Sequence, residues 1–178
     1  EAKAAGKMSH PGIVHVYDVA EDAQGNPCLV MEYVEGPTLA AMLGDEKPVE
    51  GAAVSFDDRM QIAVQVAEAL AYAHRAGVVH RDLKSANVMV TADGRLKILD
   101  FGLARRQASA QADEATVVQA TVTLDNQLMG TLHYMAPELL TGAPASPASD
   151  VWALGVILFE MAAGYRPYEG ATNFDLSA

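Results

Sequence analysis

Apolar residues recur at helical spacing over Met60, Ala63, Val66, Leu70 and Ala73. Ser55-Phe56-Asp57-Asp58 ahead of them reads as an N-cap with an acidic residue three positions on, and Gly77 behind them is a helix stop. One long amphipathic helix is therefore expected between Ser55 and Gly77. Other runs have a different texture. Ile13 to Val19 and Cys28 to Val34 are short and rich in β-branched and aromatic residues, and the polar run Glu21 to Asn26 between them reads as a hairpin loop. Val78-Val79, Val88-Met89-Val90 and Leu96 to Leu99 have the same short, strand-like character, with a turn at Thr91-Ala92-Asp93-Gly94-Arg95 before the last. Val151 to Gly164 is apolar almost throughout, but Glu160 interrupts it and it falls short of the roughly 20 residues a membrane-spanning helix needs, so it reads as a core helix. A helix-like start, Glu1 to Ser9, is stopped by His10-Pro11-Gly12, and a short helix begins at Pro37-Thr38-Leu39. Gly44 to Ala53 reads as a loop. Arg105 to Gln127, rich in alanine, threonine and glutamine, has neither period and is expected to be mobile until ordered.

Composition narrows the class of protein. With 178 residues, 51% of them hydrophobic, the chain can bury one ordinary core. A net charge of −11 without a run of Lys or Arg argues against nucleic acid as a partner, because phosphate neutralisation needs clustered cations. The single cysteine, Cys28, cannot close an internal disulfide, which fits a reducing compartment. No leader is visible, and a start at Glu1 without methionine places the expected N-terminus of the protein upstream.

The chemistry is concentrated in three stretches, in order: His80-Arg81-Asp82-Leu83-Lys84-Ser85-Ala86-Asn87, Asp100-Phe101-Gly102 and Ala136-Pro137-Glu138. Each matches a part of the protein-kinase signature set. Transfer of a γ-phosphoryl group passes through a loose in-line transition state, so an enzyme for it mostly positions groups and neutralises charge. That requires one carboxylate beside the incoming hydroxyl, and a second carboxylate with an amide to hold magnesium by hard oxygens.

The chain thus resembles the eukaryotic-like, bacterial-type serine/threonine protein kinases, over nearly its whole length. The resemblance implies an α+β, two-lobed fold: residues 1–34 as the remnant of a small lobe up to the hinge, residues 35–178 as a mainly helical large lobe through its F helix, and residues 100–138 as the activation segment. It implies ATP and Mg2+ as cofactors, with Asp82 facing the substrate hydroxyl, Lys84 reaching the γ-phosphate, Asn87 and Asp100 holding the metal, and Thr131 bonding Asp82 and Lys84. Met31 would be the gatekeeper, the backbone of Glu32 and Val34 would read the adenine edge, and Met89 would lie beneath the ring. Glu1 would pair with a lysine that this sequence does not contain. His80 is expected to pack and hydrogen-bond rather than act as the base, as is His74 at the end of the long helix. Phe101 is structural, Asp150 would accept backbone hydrogen bonds from the His80-Arg81 turn, and Glu138 would pair with an arginine beyond Ala178. Arg81 next to Asp82 is the arrangement in which a phosphate orders the activation loop, which makes Thr121 or Thr123 the expected autophosphorylation site, with Thr116 weaker. Ser85 stands where the family commonly has proline.

The implied function is transfer of the ATP γ-phosphoryl to Ser/Thr hydroxyls of a protein substrate, in the cytoplasm, with no membrane contact in this segment and a homodimer for trans-autophosphorylation. Without a Gly-rich loop or the ATP-binding lysine, these residues alone are expected to be inactive and poorly stable. Two readings compete. A pseudokinase or regulatory scaffold would keep the fold without transfer, against which intact Asp82, Asn87 and Asp100 count. A small-molecule phosphotransferase of the aminoglycoside kind would share the Asp and Asn but lack the Ala-Pro-Glu segment.

Overall fold

The computed structural model describes residues 8–44, 55–101 and 132–168. Helices and two small antiparallel sheets give it a mixed α+β architecture. β1 (Val16–Glu21) pairs antiparallel with β2 (Pro27–Met31), with Val19 opposite Leu29 and Ala20 opposite Cys28. Asp22 shapes their connection by accepting from the Gln24 and Asn26 backbone N–H groups at 2.9 and 2.8 Å and from the Asn26 side-chain amide at 2.9 Å. These donors, the Asn26 amide foremost, hold the Asp22 carboxyl below its ordinary range.

The first strand starts at Val16 rather than at Ile13, because the backbone of residues 12–14 is committed to another partner. Ile13 forms a parallel bridge with Ile98, the Val14 N–H donates to the Ile98 carbonyl at 3.0 Å, and the Ile98 N–H donates to the Gly12 carbonyl at 2.9 Å. The second strand stops at Met31 instead of running to Val34, although the Glu32 N–H still reaches the His15 carbonyl at 2.8 Å.

α1 (Leu39–Leu43) is capped by the Thr38 hydroxyl, which accepts from the Ala41 N–H at 3.1 Å. α2 (Phe56–Arg75) is the long amphipathic helix. Its N-cap hydroxyl, on Ser55, accepts from the Asp58 N–H at 3.1 Å and donates to the Asp58 carboxylate at 2.6 Å, so the acid tethers to the cap side chain. Ile62, Ala63, Val66, Ala69, Leu70 and Ala73 form its buried stripe, in the i, i+3, i+4 pattern of one face. Val78 and Val79 form no strand; the Val78 N–H instead donates back to the Ala73 carbonyl at 2.9 Å and closes the end of the helix. β3 (Val88–Val90) and β4 (Leu96–Ile98) make the second hairpin.

After the short α3 (Pro137–Leu140), α4 (Pro147–Ala163) crosses α2. It begins ahead of Asp150, because Ser146 and Ser149 form a reciprocal capping box with Pro147 in the first turn. Fully buried Val66, Val88, Ile98, Ile157 and Met161 join α2, the second hairpin and α4 in one core, each aliphatic contributing about 1.5–3 kcal/mol relative to exposure. No helix among the described residues is long and apolar enough to cross a membrane.

One glycine fixes how the segment after β2 meets this core. A Cβ on Gly36 would lie 2.1 Å from the Val90 carbonyl oxygen, at a φ of +154°. The absence of a side chain lets residues 36–38 lie against β3, where the Val90 N–H donates to the Pro37 carbonyl at 3.0 Å and Thr38 bridges Met89.

Candidate active site

The end of α2 delivers the chain through Gly77 to a loop, residues 79–84, and then to a three-residue 3-10 turn, Ser85–Asn87, that runs directly into β3. Asp150 in the first turn of α4 lies beneath the loop with 2% of its surface exposed. Its Oδ2 accepts from the His80 N–H at 2.8 Å and contacts His74 Nε2 at 2.7 Å, while its Oδ1 accepts from the Arg81 N–H at 2.9 Å. The bond to Arg81 holds a strained backbone, φ +76°; Asp100, φ +61°, is the other non-glycine left-handed position among the described residues. Such residues cost about 1–3 kcal/mol each and persist where the surroundings over-determine them.

Asp82 is next in the loop. Its Oδ2 lies 3.0 Å from Lys84 Nζ and 3.3 Å from Asn87 Nδ2, and the same Asn87 amide donates to the Asp82 carbonyl at 2.8 Å. Asp82 Oδ1 is buried and has no hydrogen-bond partner among the described residues. A buried carboxylate oxygen left open in this way is a prepared acceptor. Because Asn87 spends its NH2 on Asp82, its own side-chain oxygen remains available as an acceptor or ligand. The Leu99 N–H donates to the Asn87 carbonyl at 2.9 Å, which brings the residue before Asp100 onto the same turn. Asp100 is exposed, while Phe101 behind it is buried against the His80 ring at 4.7 Å between centroids. An exposed carboxylate and an amide oxygen are hard-oxygen donors, the kind that suits a magnesium ion that also keeps waters and phosphate oxygens.

His80 is fully buried and both of its nitrogens are engaged. Nε2 lies 2.8 Å from the Leu99 carbonyl, which can only accept, so Nε2 carries the proton; Nδ1 then accepts from the Asp82 N–H at 3.3 Å. The ring is neutral and holds the Asp82 backbone, which leaves it no nitrogen for base chemistry. Burial pushes its pKa below the ordinary 6.5, against the opposing pull of Asp150, Asp82 and Asp100. On unfolding His80 regains its ordinary affinity for a proton, so its contribution to stability is full above pH 6.5 and is lost as the pH falls below it. Histidine ring resonances followed by NMR are expected to show His80 still neutral below pH 6.5 in the folded protein, together with a melting temperature that declines on acidification. A His80 that titrates at or above 6.5 contradicts this assignment.

The residues expected to form the hinge, Met31 to Val34, reach the second hairpin through Glu32 and Lys97. Glu32 is half-buried, and its carboxylate takes Lys97 Nζ at 2.7 Å and the His15 N–H at 3.2 Å. The Lys97 ammonium is the main cause of a lowered Glu32 pKa. Lys97 stands opposite Met89 in the β3–β4 pair, so the two share one face. Met31 ends β2, and Val34 is buried. Glu138 is exposed in the first turn of α3. Glu1, Thr121, Thr123, Thr116 and Thr131 lie outside the described residues.

Two groupings at the site have no sequence signature. The Lys97–Glu32 pair joins residues 65 positions apart, and Ser85, Tyr134 and Glu160 form a buried hydrogen-bonded series. Neither has a fixed spacing; only a carboxylate inside the apolar stretch of α4 hints that a partner must exist.

An Asp–Lys–Asn cluster is thus held on a buried histidine and a loop anchored by Asp150. The protein kinase domain model matches residues 1–177. The chain is 37% identical over 177 residues to a probable serine/threonine-protein kinase of Clostridium acetobutylicum, covering 99% of this chain and 24% of that protein. It is 38% identical over 173 residues to a probable serine/threonine-protein kinase of Streptomyces coelicolor, covering 96% and 24%, and 35% identical over 177 residues to the serine/threonine-protein kinase PrkC of Bacillus subtilis, covering 99% and 25%. The chain belongs to the protein kinase family, as a bacterial-type serine/threonine kinase catalytic domain. It spans about a quarter of the length of these curated relatives.

Proposed function

We propose that the protein carrying this chain transfers the γ-phosphoryl group of Mg-ATP to serine or threonine hydroxyls of protein substrates. The buried, unpartnered Asp82 Oδ1 carries the reading. It is the carboxylate oxygen of the cluster left without a partner among the described residues, and it would accept the proton from an incoming hydroxyl while Lys84 and Asn87 hold Oδ2 and fix the carboxylate plane. Lys84 also brings a positive charge to where the phosphoryl group would pass. Asn87 and Asp100 would hold the magnesium ion, whose chemistry is to neutralise charge on the phosphate oxygens. Met31, the Glu32 and Val34 backbone and Met89 would frame the adenine, with Lys97 holding Glu32 in place. Residues 1–34 then form the small-lobe part, residues 35–178 the large-lobe part, and residues 100–138 the activation segment. Thr131 would bond Asp82 and Lys84. With ATP as donor, the reaction would run in the cytoplasm.

Arg81, beside Asp82, would receive a phosphate on Thr121 or Thr123, added by a second copy of the protein. The test is incubation of the full-length protein with γ-labelled Mg-ATP and a protein substrate, followed by phosphoamino-acid analysis and phosphopeptide mapping. Label on serine and threonine of the substrate supports transfer, and label on Thr121 or Thr123 supports the regulatory part. Binding of Mg-ATP with no label anywhere would move the protein to the scaffold class, and a substrate labelled while neither threonine is modified would remove the phosphosite assignment alone.

A further inference from the structure

Ser85 is fully buried at the head of the turn that joins Lys84 to Asn87, and its hydroxyl lies 2.8 Å from the Tyr134 hydroxyl. Tyr134 in turn donates to Glu160 Oε2 at 2.7 Å. The direction of this series is fixed by its end: the single Tyr134 proton goes to the carboxylate oxygen, so the Ser85 hydroxyl must donate to the Tyr134 oxygen. Burial first, and the Glu160 charge after it, push the Tyr134 hydroxyl above its ordinary value of 10, so it keeps that proton at any working pH.

Three parts of the molecule meet here that are otherwise distant in sequence, 49 residues apart for Ser85 and Tyr134 and 26 for Tyr134 and Glu160. Glu160 is 2% exposed on α4, Tyr134 belongs to the segment leading into α3, and Ser85 sits between the two side chains that grip Asp82 Oδ2. The turn is short and closed by the Asn87 N–H donating to the Lys84 carbonyl at 2.9 Å. A shift of Ser85 therefore moves Lys84 and Asn87 together.

We propose that Ser85 is a positioning residue for phosphoryl transfer, setting the Lys84–Asn87 turn against the Tyr134 segment through its bond to the Tyr134–Glu160 pair. The proposal rests on the reading of Asp82 as the group that faces the substrate hydroxyl. Lys84 and Asn87 have to hold the Asp82 carboxylate within a fraction of an ångström of its productive place, and small misplacements there cost rate rather than binding. A buried hydroxyl that merely satisfies the core would change stability and leave the rate alone.

The test is a double-mutant cycle in the full-length protein, read by steady-state transfer to a protein substrate, with Ser85→Ala, Tyr134→Phe, their combination, and Asp82→Asn as a separate arm. Ser85→Ala is expected to lower kcat about fivefold while the KM for Mg-ATP stays within about twofold. Tyr134→Phe, which breaks both bonds, is expected to lower kcat about tenfold, and the double variant to fall no further than Tyr134→Phe alone. A Ser85→Ala enzyme with wild-type kcat, whether or not its melting temperature drops, overturns the proposal. So does a double variant in which the two losses multiply. Transfer that survives Asp82→Asn would instead overturn the underlying reading of the loop, a result neither arm of the cycle can produce.

Discussion

Replacing Asp82 by asparagine is expected to lower kcat by about 10²–10⁴-fold, the usual contribution of a positioned general base. Asparagine keeps the shape of the side chain and can still accept a hydrogen bond through its oxygen, but it cannot take a proton from a hydroxyl. Lys84 loses its counter-charge in the exchange, yet the pair is partly solvated, with side chains 21% and 32% exposed, so the cost to stability is small. The KM for Mg-ATP should stay within about threefold, because the residues proposed to frame the adenine do not include Asp82 and the loss falls on the transition state. Steady-state kinetics of the full-length protein beside a thermal melt separate these effects. Retention of more than about a tenth of wild-type kcat would falsify the assignment of Asp82 Oδ1 as the proton acceptor.

The largest loss of stability is expected from Asp150→Ala. The substitution leaves the His80 and Arg81 N–H groups without acceptors beneath the loop and removes the partner of His74. Each orphaned donor costs about 1–3 kcal/mol, for a total on the order of 4 kcal/mol, against the 5–15 kcal/mol that holds an ordinary domain together. Arg81 adds to the penalty, since its left-handed φ of +76° is held in part by the lost bond. For a domain of kinase size this corresponds to a fall in melting temperature of about 10 °C. Asp150→Asn keeps one acceptor oxygen but turns an NH2 toward the loop, and is expected to fall between the two. A shift of less than about 2 °C for Asp150→Ala would show that the loop stands without α4.

Much of this was readable from sequence because it depends on local pattern. The stripe Met60, Ala63, Val66, Leu70, Ala73 and the Ser55 cap declare α2, and the His80 to Asn87 and Asp100 to Gly102 stretches declare the family. The errors lie where a distant strand or a cap overrides the local pattern. Ile13 looks like the start of a strand, but the backbone around it pairs with Ile98, far along the chain. Val78-Val79 is as β-prone as any pair here, yet its N–H closes α2. Helix α4 starts before its apolar run because Ser146 and Ser149 cap each other, a signal that hydrophobic periodicity does not contain. Within the site, single residue types were legible from motifs, whereas the role of Ser85 depends on Tyr134 and Glu160 arriving beside it through tertiary packing.

Neighbouring residues of β4 secure opposite ends of the first hairpin. Ile98 takes the incoming strand through Gly12, Ile13 and Val14, and Lys97 takes the outgoing one through Glu32. The hairpin is thereby clasped at its root while its tip at Asp22 to Asn26 stays in solvent. Sliding along β4 would break the Ile98 backbone bonds and the Lys97–Glu32 pair together, so the motion these contacts leave to the hairpin is a tilt, like a door on a post. A nucleotide held, as proposed, between Met31 and Met89 would then feel opening as a change of angle.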